Sequence, residues 1–125
     1  MSQVDRGAPG AGAPTISTHV LDTGRGGPAA GVRVSLYRRH GDEERLVGEG
    51  TTDADGRIRR LLSEDLVVGE YRLAFDLADP SALAPGESAP FFARLSVELR
   101  ITDTSRSYHV PLLVAPYALT AYRGS

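Results

Sequence analysis

Residues 107–114 read Ser-Tyr-His-Val-Pro-Leu-Leu-Val. Large apolar side chains occupy every second position from Tyr108 to Val114, which is the period of a β-strand with one buried face. His109 belongs to the alternate set, so the pattern predicts that its imidazole points away from the core. Such a strand must pack its apolar face on a second apolar surface, which the rest of the chain has to supply.

Residues 15–22 (TISTHVLD) have the same period. Ile16 and Val20 fall on one face of the predicted strand. His19 falls on the opposite face, together with Ser17. Two of the three histidines in the chain are therefore predicted to lie on the outward faces of strands. A single outward histidine is most often an ordinary surface residue, but two in similar positions weaken that interpretation.

Six further segments have strand character and are separated by turn residues. They are residues 32–37, 45–52, 57–61, 69–77, 93–102 and 117–123. One short helix is predicted between the segments 69–77 and 93–102, because Asp79 suits an N-cap and Pro80 suits the first helical position. Pro-Gly at 85–86 ends this helix within two turns. Eight short strands and one short helix indicate an all-β fold, a β-sandwich of two sheets.

The length of the chain limits it to one domain. A chain of 125 residues has room for one core that is stable without disulfides or a structural metal. Residues 1–14 are rich in Gly, Ala and Pro, a composition that has little to bury. We therefore predict a disordered lead over residues 1–14 and one domain over residues 15–125.

Charge and cysteine content exclude several classes of function. The net charge of −2 gives no electrostatic basis for binding nucleic acid or an anionic membrane. No cysteine is present, which excludes a thiol nucleophile and thiolate metal ligands. No apolar run approaches the roughly 20 residues that span a bilayer, and no secretory signal is visible. The sequence predicts a cytoplasmic protein.

Residues 51–56 (TTDADG) contain part of the acidic spacing of a calcium loop. The first and twelfth positions of that loop would fall on Thr51 and Leu62, which are unsuitable ligands. A hairpin turn with Gly56 at positive φ explains the segment better. This turn would fix Arg57 at the start of the following strand.

Two other catalytic arrangements lack support. The chain has no Gly-x-Ser-x-Gly elbow, and Asp22 falls on the strand face opposite His19, where it cannot orient that imidazole. A zinc ion bound by His19 and His109 would need a third ligand, and no carboxylate lies at a usual spacing. We therefore predict neither a metal nor a cofactor.

The C-terminal residues Tyr122-Arg123-Gly124-Ser125 directly follow an apolar strand. Chain ends are usually frayed and polar, whereas an arginine and a carboxylate beside a core strand can be held in place. Taken alone, this segment fits both interpretations.

Three groups of motifs together resemble one family, the 5-hydroxyisourate hydrolases, which are transthyretin-related enzymes of urate breakdown. The motifs are residues 17–23 (STHVLDT) with 27–32 (GPAAGV), residues 52–57 (TDADGR), and residues 108–113 (YHVPLL) with 116–117 (PY) and 122–125 (YRGS). The resemblance covers about residues 15–125. The terminal tetrapeptide is its specific part, because transthyretins proper lack it.

The resemblance implies a transthyretin-like (prealbumin-like) sandwich that assembles as a homotetramer, a dimer of dimers. The implied activity is hydrolysis of 5-hydroxyisourate to 2-oxo-4-hydroxy-4-carboxy-5-ureidoimidazoline in purine catabolism, without a metal or cofactor. The site would lie in the cleft between dimers, on the outward face of the sheet that holds the first and last strands. This location agrees with the outward direction predicted for both histidines.

The resemblance also implies the roles of individual residues. The catalytic residues would be His19, Arg57, His109 and Ser125, and the substrate-binding residues Tyr122, Arg123 and Gly124. A neutral imidazole can take a proton from water, and a guanidinium can stabilise an oxyanion. One of the two histidines is assigned as the general base, and which one stays open.

Two other classes of function compete with a hydrolase. A transthyretin-like carrier would bind a hydrophobic ligand between dimers, which a polar lining of histidine and arginine disfavours. A prealbumin-like adhesive or regulatory module accounts equally well for residues 15–60. That module gives no reason for His109 or for the terminal tetrapeptide.

Overall fold

The computed structural model describes residues 10, 12–77, 86 and 90–124. The strands in these ranges are β1 (Ile16–Asp22), β2 (Gly27–Pro28), β3 (Arg33–His40), β4 (Glu43–Thr51), β5 (Arg57–Ile58), β6 (Gly69–Asp76), β7 (Arg94–Ile101), β8 (Tyr108–Ala115) and β9 (Ala118–Ala121). The described part of the chain contains no helix, and hence none that could cross a membrane. The predicted helix at residues 79–85 and most of the predicted disordered lead lie outside the described residues, so both stay predictions.

The strands form two sheets. In the first sheet the order is β2-β1-β8-β9, and β5 also pairs with β1. In the second sheet the order is β4-β3-β6-β7. The strands β1 and β8 run parallel, whereas the other pairs are antiparallel. The prediction of an all-β fold with two sheets is confirmed.

The core lies between the sheets and consists of inward strand positions together with Leu61, Leu62 and Leu66 from the segment between β5 and β6. Its buried apolar residues are Ile16, Val20, Val34, Leu36, Val47, Leu61, Leu62, Leu66, Tyr71, Leu73, Phe75, Ile101, Val110 and Leu112. Burying one large apolar side chain contributes about 1.5–3 kcal/mol to stability. The cluster confirms the core faces predicted for β1 and β8. It leaves His19 and His109 half-buried on the opposite face of the same sheet.

The strand β5 is shorter than predicted. Only Arg57 and Ile58 pair with β1, although the Leu61 N–H still donates to the Ile16 carbonyl oxygen at 3.0 Å. The chain leaves the sheet edge here because Leu61 is buried against β4. A Cβ on Gly48 of β4 would overlap the Leu61 carbonyl group, so the two main chains are in direct contact. The two-residue strand β2 is too short to show any periodicity and was not predictable from the pattern.

Candidate active site

His19 projects from the outer face of β1 and is held by the turn that follows β4. Its Nε2 lies 2.9 Å from the carbonyl oxygen of Asp55. A carbonyl oxygen only accepts hydrogen bonds, so Nε2 carries the hydrogen and donates it. In the neutral ring, Nδ1 is then the nitrogen that keeps a lone pair.

Arg57 lies directly opposite His19 because the turn after β4 sets the start of β5. The Asp53 carboxylate accepts hydrogen bonds from the main-chain N–H of Asp55 at 2.9 Å and of Arg57 at 3.0 Å. The Arg57 N–H is the main cause that lowers the pKa of Asp53. Gly56 has a φ of 76°, which confirms the positive φ predicted for this turn. The turn therefore places the Arg57 side chain on the same outer face as His19.

His109 lies on β8, next to β1. Its partner in the parallel ladder is Ser17, and the Ser17 Oγ lies 2.8 Å from Nδ1 of the ring. Burial lowers the pKa of His109 below its ordinary value of 6.5, and the nearby Arg57 and His19 lower it further. Hydrogen bonding to Ser17 opposes this shift but has a smaller effect. The imidazole is therefore mainly neutral at pH 7, the state that a general base needs.

The C-terminal segment continues beyond β9 along β8 until it reaches His109. The Tyr122 N–H donates to the Pro111 carbonyl oxygen at 3.2 Å, and the Gly124 N–H donates to the His109 carbonyl oxygen at 2.7 Å. A Cβ built on Gly124 would stand 2.8 Å from Cδ2 of His109. The segment is thus held against the site through Gly124, and Ser125 lies outside the described residues.

The Arg123 side chain takes a different direction. Its guanidinium carbon is 5.1 Å from the centre of the Tyr108 ring, within the range of a cation–π contact. Tyr108 packs against the core cluster and belongs to the other face of β8 from His109. Tyr122 is 49% exposed. The structure therefore brings the main chain of Gly124 to His109 and holds the Arg123 guanidinium at Tyr108.

An open recess of about 300 Å³ lies on the outer face of the first sheet. It is lined by Ser17, Thr18, Arg57, Ile58, Arg59 and His109. Ser17 and Arg59 are absent from the residues predicted for the site. Strand alternation in the sequence places Ser17 on the face of His19 and Arg59 on the face of Arg57. This alternation is the sequence signal that could have identified both as residues of the site. The signal is weak because serine and arginine are common on exposed strand faces.

The chemistry available here is proton transfer beside a fixed positive charge. Two imidazoles and the Arg57 guanidinium share one outer face, and both imidazoles are hydrogen-bonded to protein oxygens. Within the described residues, no three His, Asp or Glu side chains come together as a metal site. The arrangement can activate a water molecule and stabilise negative charge on a carbonyl oxygen.

Known proteins share this arrangement of strands and motifs. The profile of the HIUase/Transthyretin family matches residues 16–124. The chain belongs to this family. Membership confirms the resemblance inferred from the motifs at the two histidines and the turn before Arg57.

Individual members of the family are similar over nearly their whole length. A 5-hydroxyisourate hydrolase of Caulobacter vibrioides is 42% identical over 112 residues, which cover 88% of this chain and 97% of the relative. The structure of Klebsiella pneumoniae 5-hydroxyisourate hydrolase has a TM-score of 0.75 and 33% identity, covering 90% of this chain and 99% of that one. Sea bream transthyretin, solved in complex with thyroxine, has a TM-score of 0.75 and 27% identity, covering 87% and 93%. The predicted transthyretin-like sandwich is confirmed.

Proposed function

We propose that this protein hydrolyses 5-hydroxyisourate to 2-oxo-4-hydroxy-4-carboxy-5-ureidoimidazoline in urate breakdown. The proposal rests on the shared outer face of His19, Arg57 and His109 in a chain whose similar relatives are named 5-hydroxyisourate hydrolases. The other face of β1 and β8 forms the core, so these three side chains are not needed to hold the sheets together.

In the proposed reaction, water attacks the amide carbonyl carbon of the substrate ring. His109 accepts a proton from that water as the water oxygen bonds to carbon, and the carbonyl electron pair moves onto the carbonyl oxygen. The Arg57 guanidinium stabilises the negative charge on that oxygen. When the tetrahedral intermediate collapses, the C–N bond breaks and the leaving nitrogen takes the proton back from His109. One water molecule is consumed, and no metal or cofactor takes part.

The two histidines have different roles in this proposal. His109 is the general base because burial and the neighbouring positive charges keep it neutral. His19, whose Nε2–H is bound to the Asp55 carbonyl oxygen, orients the water or the substrate through Nδ1. Arg57 supplies the hydrogen-bond donors that face the oxyanion. Removing a single donor of this kind costs about 10²- to 10³-fold in kcat.

The terminal residues complete the pocket. Gly124 lies against the ring of the general base, so the segment that contains it forms one wall of the site. We assign Tyr122, Arg123 and Gly124 to substrate binding. Ser125, which follows Gly124 in the chain, is assigned to the catalytic residues. The cation–π contact of Arg123 with Tyr108 lies on the other face of β8 from His109, so Arg123 would contribute by fixing the segment at the start of β8.

The proposal includes assembly as a homotetramer, a dimer of dimers. The recess is open to solvent on the outer face of a sheet, and a second subunit would supply its other wall and exclude bulk water. In the described part of the chain, β7 and β9 are edge strands, whose free main-chain groups can pair with another copy. Light scattering should give about four times 13.3 kDa. A monomer with full activity would rule out a shared pocket.

A cytoplasmic location is also part of the proposal. The chain has no cysteine, which suits a reducing compartment. Cell fractionation with an antibody against the native protein tests this location, and recovery of the protein outside the cytoplasmic fraction would refute it.

The decisive experiment follows the ultraviolet absorbance of 5-hydroxyisourate generated in place by urate oxidase. The protein should accelerate its decay, whereas His19→Ala, Arg57→Ala and His109→Ala should each form the same assembly with little activity. His40→Ala is the matched control, because His40 is an exposed histidine at the end of β3, in the other sheet. If the native protein leaves the decay rate unchanged, the proposal is wrong and a carrier or binding role takes precedence.

A further inference from the structure

The ring of His109 is held on two of its edges. On the side of β1, Nδ1 lies 2.8 Å from the Ser17 Oγ. On the side of the terminal segment, the Gly124 main chain lies so near the ring that an added Cβ would stand 2.8 Å from Cδ2. The ring therefore spans β8 between two neighbours, and its remaining atoms, Cε1 and Nε2, form the edge left for water or substrate.

The hydrogen bond between Ser17 and His109 can be made in two ways, with opposite chemical consequences. If the hydroxyl donates to Nδ1, the neutral ring carries its hydrogen on Nε2 and offers no lone pair at its free edge. If Nδ1–H donates to the hydroxyl, Nε2 keeps the lone pair and can act as a base. Only the second form leaves a lone pair on the edge that neither Ser17 nor Gly124 covers, where water or substrate can approach. The role of general base proposed for His109 therefore requires the hydrogen on Nδ1, donated to the Ser17 hydroxyl.

We infer that Ser17 is a positioning residue that fixes His109 in the Nδ1–H form, so that Nε2 is the nitrogen that accepts the proton from water. The inference rests on the proposed hydrolase function for its catalytic meaning. The Ser17 hydroxyl keeps its own hydrogen, which it can donate to a ligand, because Ser17 also lines the recess.

The second histidine is fixed in the opposite form. His19 is two residues from Ser17 on β1, and its Nε2–H donates to the Asp55 carbonyl oxygen. In the neutral state the two imidazoles therefore present different nitrogens, Nδ1 from His19 and Nε2 from His109. This difference separates their roles, which the sequence alone left open.

The hydrogen position can be measured directly by nitrogen NMR of the histidine side chains. The chain has three histidines, so His19→Gln and His40→Gln suffice to assign the signals. Above pH 7.5, His109 should show a protonated Nδ1 and an unprotonated Nε2. In Ser17→Ala, this preference should weaken toward a mixture of both forms, and the pKa of His109 should fall further because one acceptor for Nδ1–H is lost.

The activity of the same variants tests the catalytic part. Ser17→Ala should lower kcat/KM about 3- to 10-fold, the scale of one hydrogen bond, and shift the acid limb of its pH profile to lower pH. Ser17→Thr, which keeps the hydroxyl, should restore both. Ser35→Ala, a half-buried serine of β3, is the control and should match the native protein.

The outcomes separate this inference from the proposed function. A native protein with hydrogen on Nε2 of His109, or an unaltered tautomer and pH profile in Ser17→Ala, would overturn the role of Ser17. A protein with the expected Nδ1–H form that fails to hydrolyse 5-hydroxyisourate would instead contradict the proposed substrate and leave the control of His109 by Ser17 standing.

Discussion

The main chain of Gly124 lies directly against the ring of His109. The Gly124 N–H donates to the His109 carbonyl oxygen at 2.7 Å, and a Cβ at position 124 would stand 2.8 Å from Cδ2 and 3.4 Å from Cγ of the ring. A Cβ essentially never approaches another atom so closely unless something shifts. Only glycine allows the terminal segment and the imidazole to keep these positions together.

The first prediction follows for Gly124→Ala. The added methyl group must push either the His109 ring or the terminal segment out of place, and a displacement of about 1 Å in an active site can cost 10²-fold. We expect kcat/KM to fall at least about 10-fold while the melting temperature stays close to that of the native protein, because the core is untouched. Gly27→Ala is the control, since Gly27 has no atom within 4 Å of its Cβ position. Native activity in Gly124→Ala would show that the contact is irrelevant to catalysis.

The second prediction concerns pH. The pKa of His109 is lowered from 6.5 by burial, by Arg57 and by His19, and the general base works only when neutral. The midpoint of the acid limb of kcat/KM should therefore lie below pH 6.5, where His109 becomes protonated. Nitrogen NMR of His109 should give the same midpoint. A decline centred above pH 7 would mean that another group controls the rate.

The same shift has a defined effect on stability. The unfolded ring titrates near its ordinary pKa of 6.5, and the folded ring titrates at a lower pH. Between these two values the unfolded state binds more protons, so the free energy of unfolding falls as the pH falls through this window. Above this window, the titration of His109 adds no pH dependence to the free energy of unfolding. In His109→Gln, urea denaturation between pH 5 and pH 7 should show a smaller pH dependence than in the native protein.

Much of the fold could be predicted from the sequence, because the period of the apolar residues indicates both the strands and their buried faces. The alternation in β1 and β8 sets the core face and, by exclusion, the outward direction of His19 and His109. The turn before Arg57 is also local, since a glycine at positive φ and an aspartate that binds the next main-chain N–H groups lie within five residues. Local signals of this kind do not depend on the rest of the chain.

The remaining features depend on contacts between distant parts of the chain. Ser17 becomes a partner of His109 only through the parallel register of two strands that are 92 positions apart. The early end of β5 follows from the close approach of Leu61 to Gly48, which no periodicity reveals. The direction of Arg123 likewise depends on the position of the Tyr108 ring.

The third prediction concerns Arg59, which lines the recess and is exposed. It forms no ion pair within the described residues, so its charge is available to attract an oxygen-rich substrate. Arg59→Gln should raise KM about 2- to 5-fold and leave kcat nearly unchanged, in line with the modest value of an exposed charge. The dependence of kcat/KM on salt should also become weaker.

Matched variants make this prediction specific to the recess. Arg59→Lys should behave like the native protein, because it keeps the charge. Arg33→Gln removes an exposed arginine of β3 on the other sheet and should leave KM unchanged. An equal rise of KM in Arg33→Gln and Arg59→Gln would assign the effect to net charge and not to the recess.

The fourth prediction separates two reasons for glycine in the turn that carries Arg57. Gly56 has a φ of 76° and Gly41, in the β3–β4 hairpin, has a φ of 64°, so alanine is strained at both by roughly 1–2 kcal/mol. The surroundings differ. A Cβ on Gly56 would overlap the carbonyl oxygen of Val20 and approach Pro28, whereas a Cβ on Gly41 would meet nothing within 4 Å.

Gly56→Ala should therefore lower the free energy of unfolding by about 1–3 kcal/mol more than Gly41→Ala, the usual cost of overpacking. The Gly56 carbonyl oxygen also accepts the Val20 N–H at 2.7 Å, so relief of the overlap must move the turn away from β1 and carry Arg57 with it. In the folded fraction, Gly56→Ala should lose kcat about 10-fold or more because the guanidinium no longer faces the reacting oxygen. Gly41→Ala should keep the native kcat. Urea denaturation and the hydroxyisourate assay on both variants measure the two effects separately, and equal destabilisation with equal activity would show that only the positive φ requires glycine at position 56.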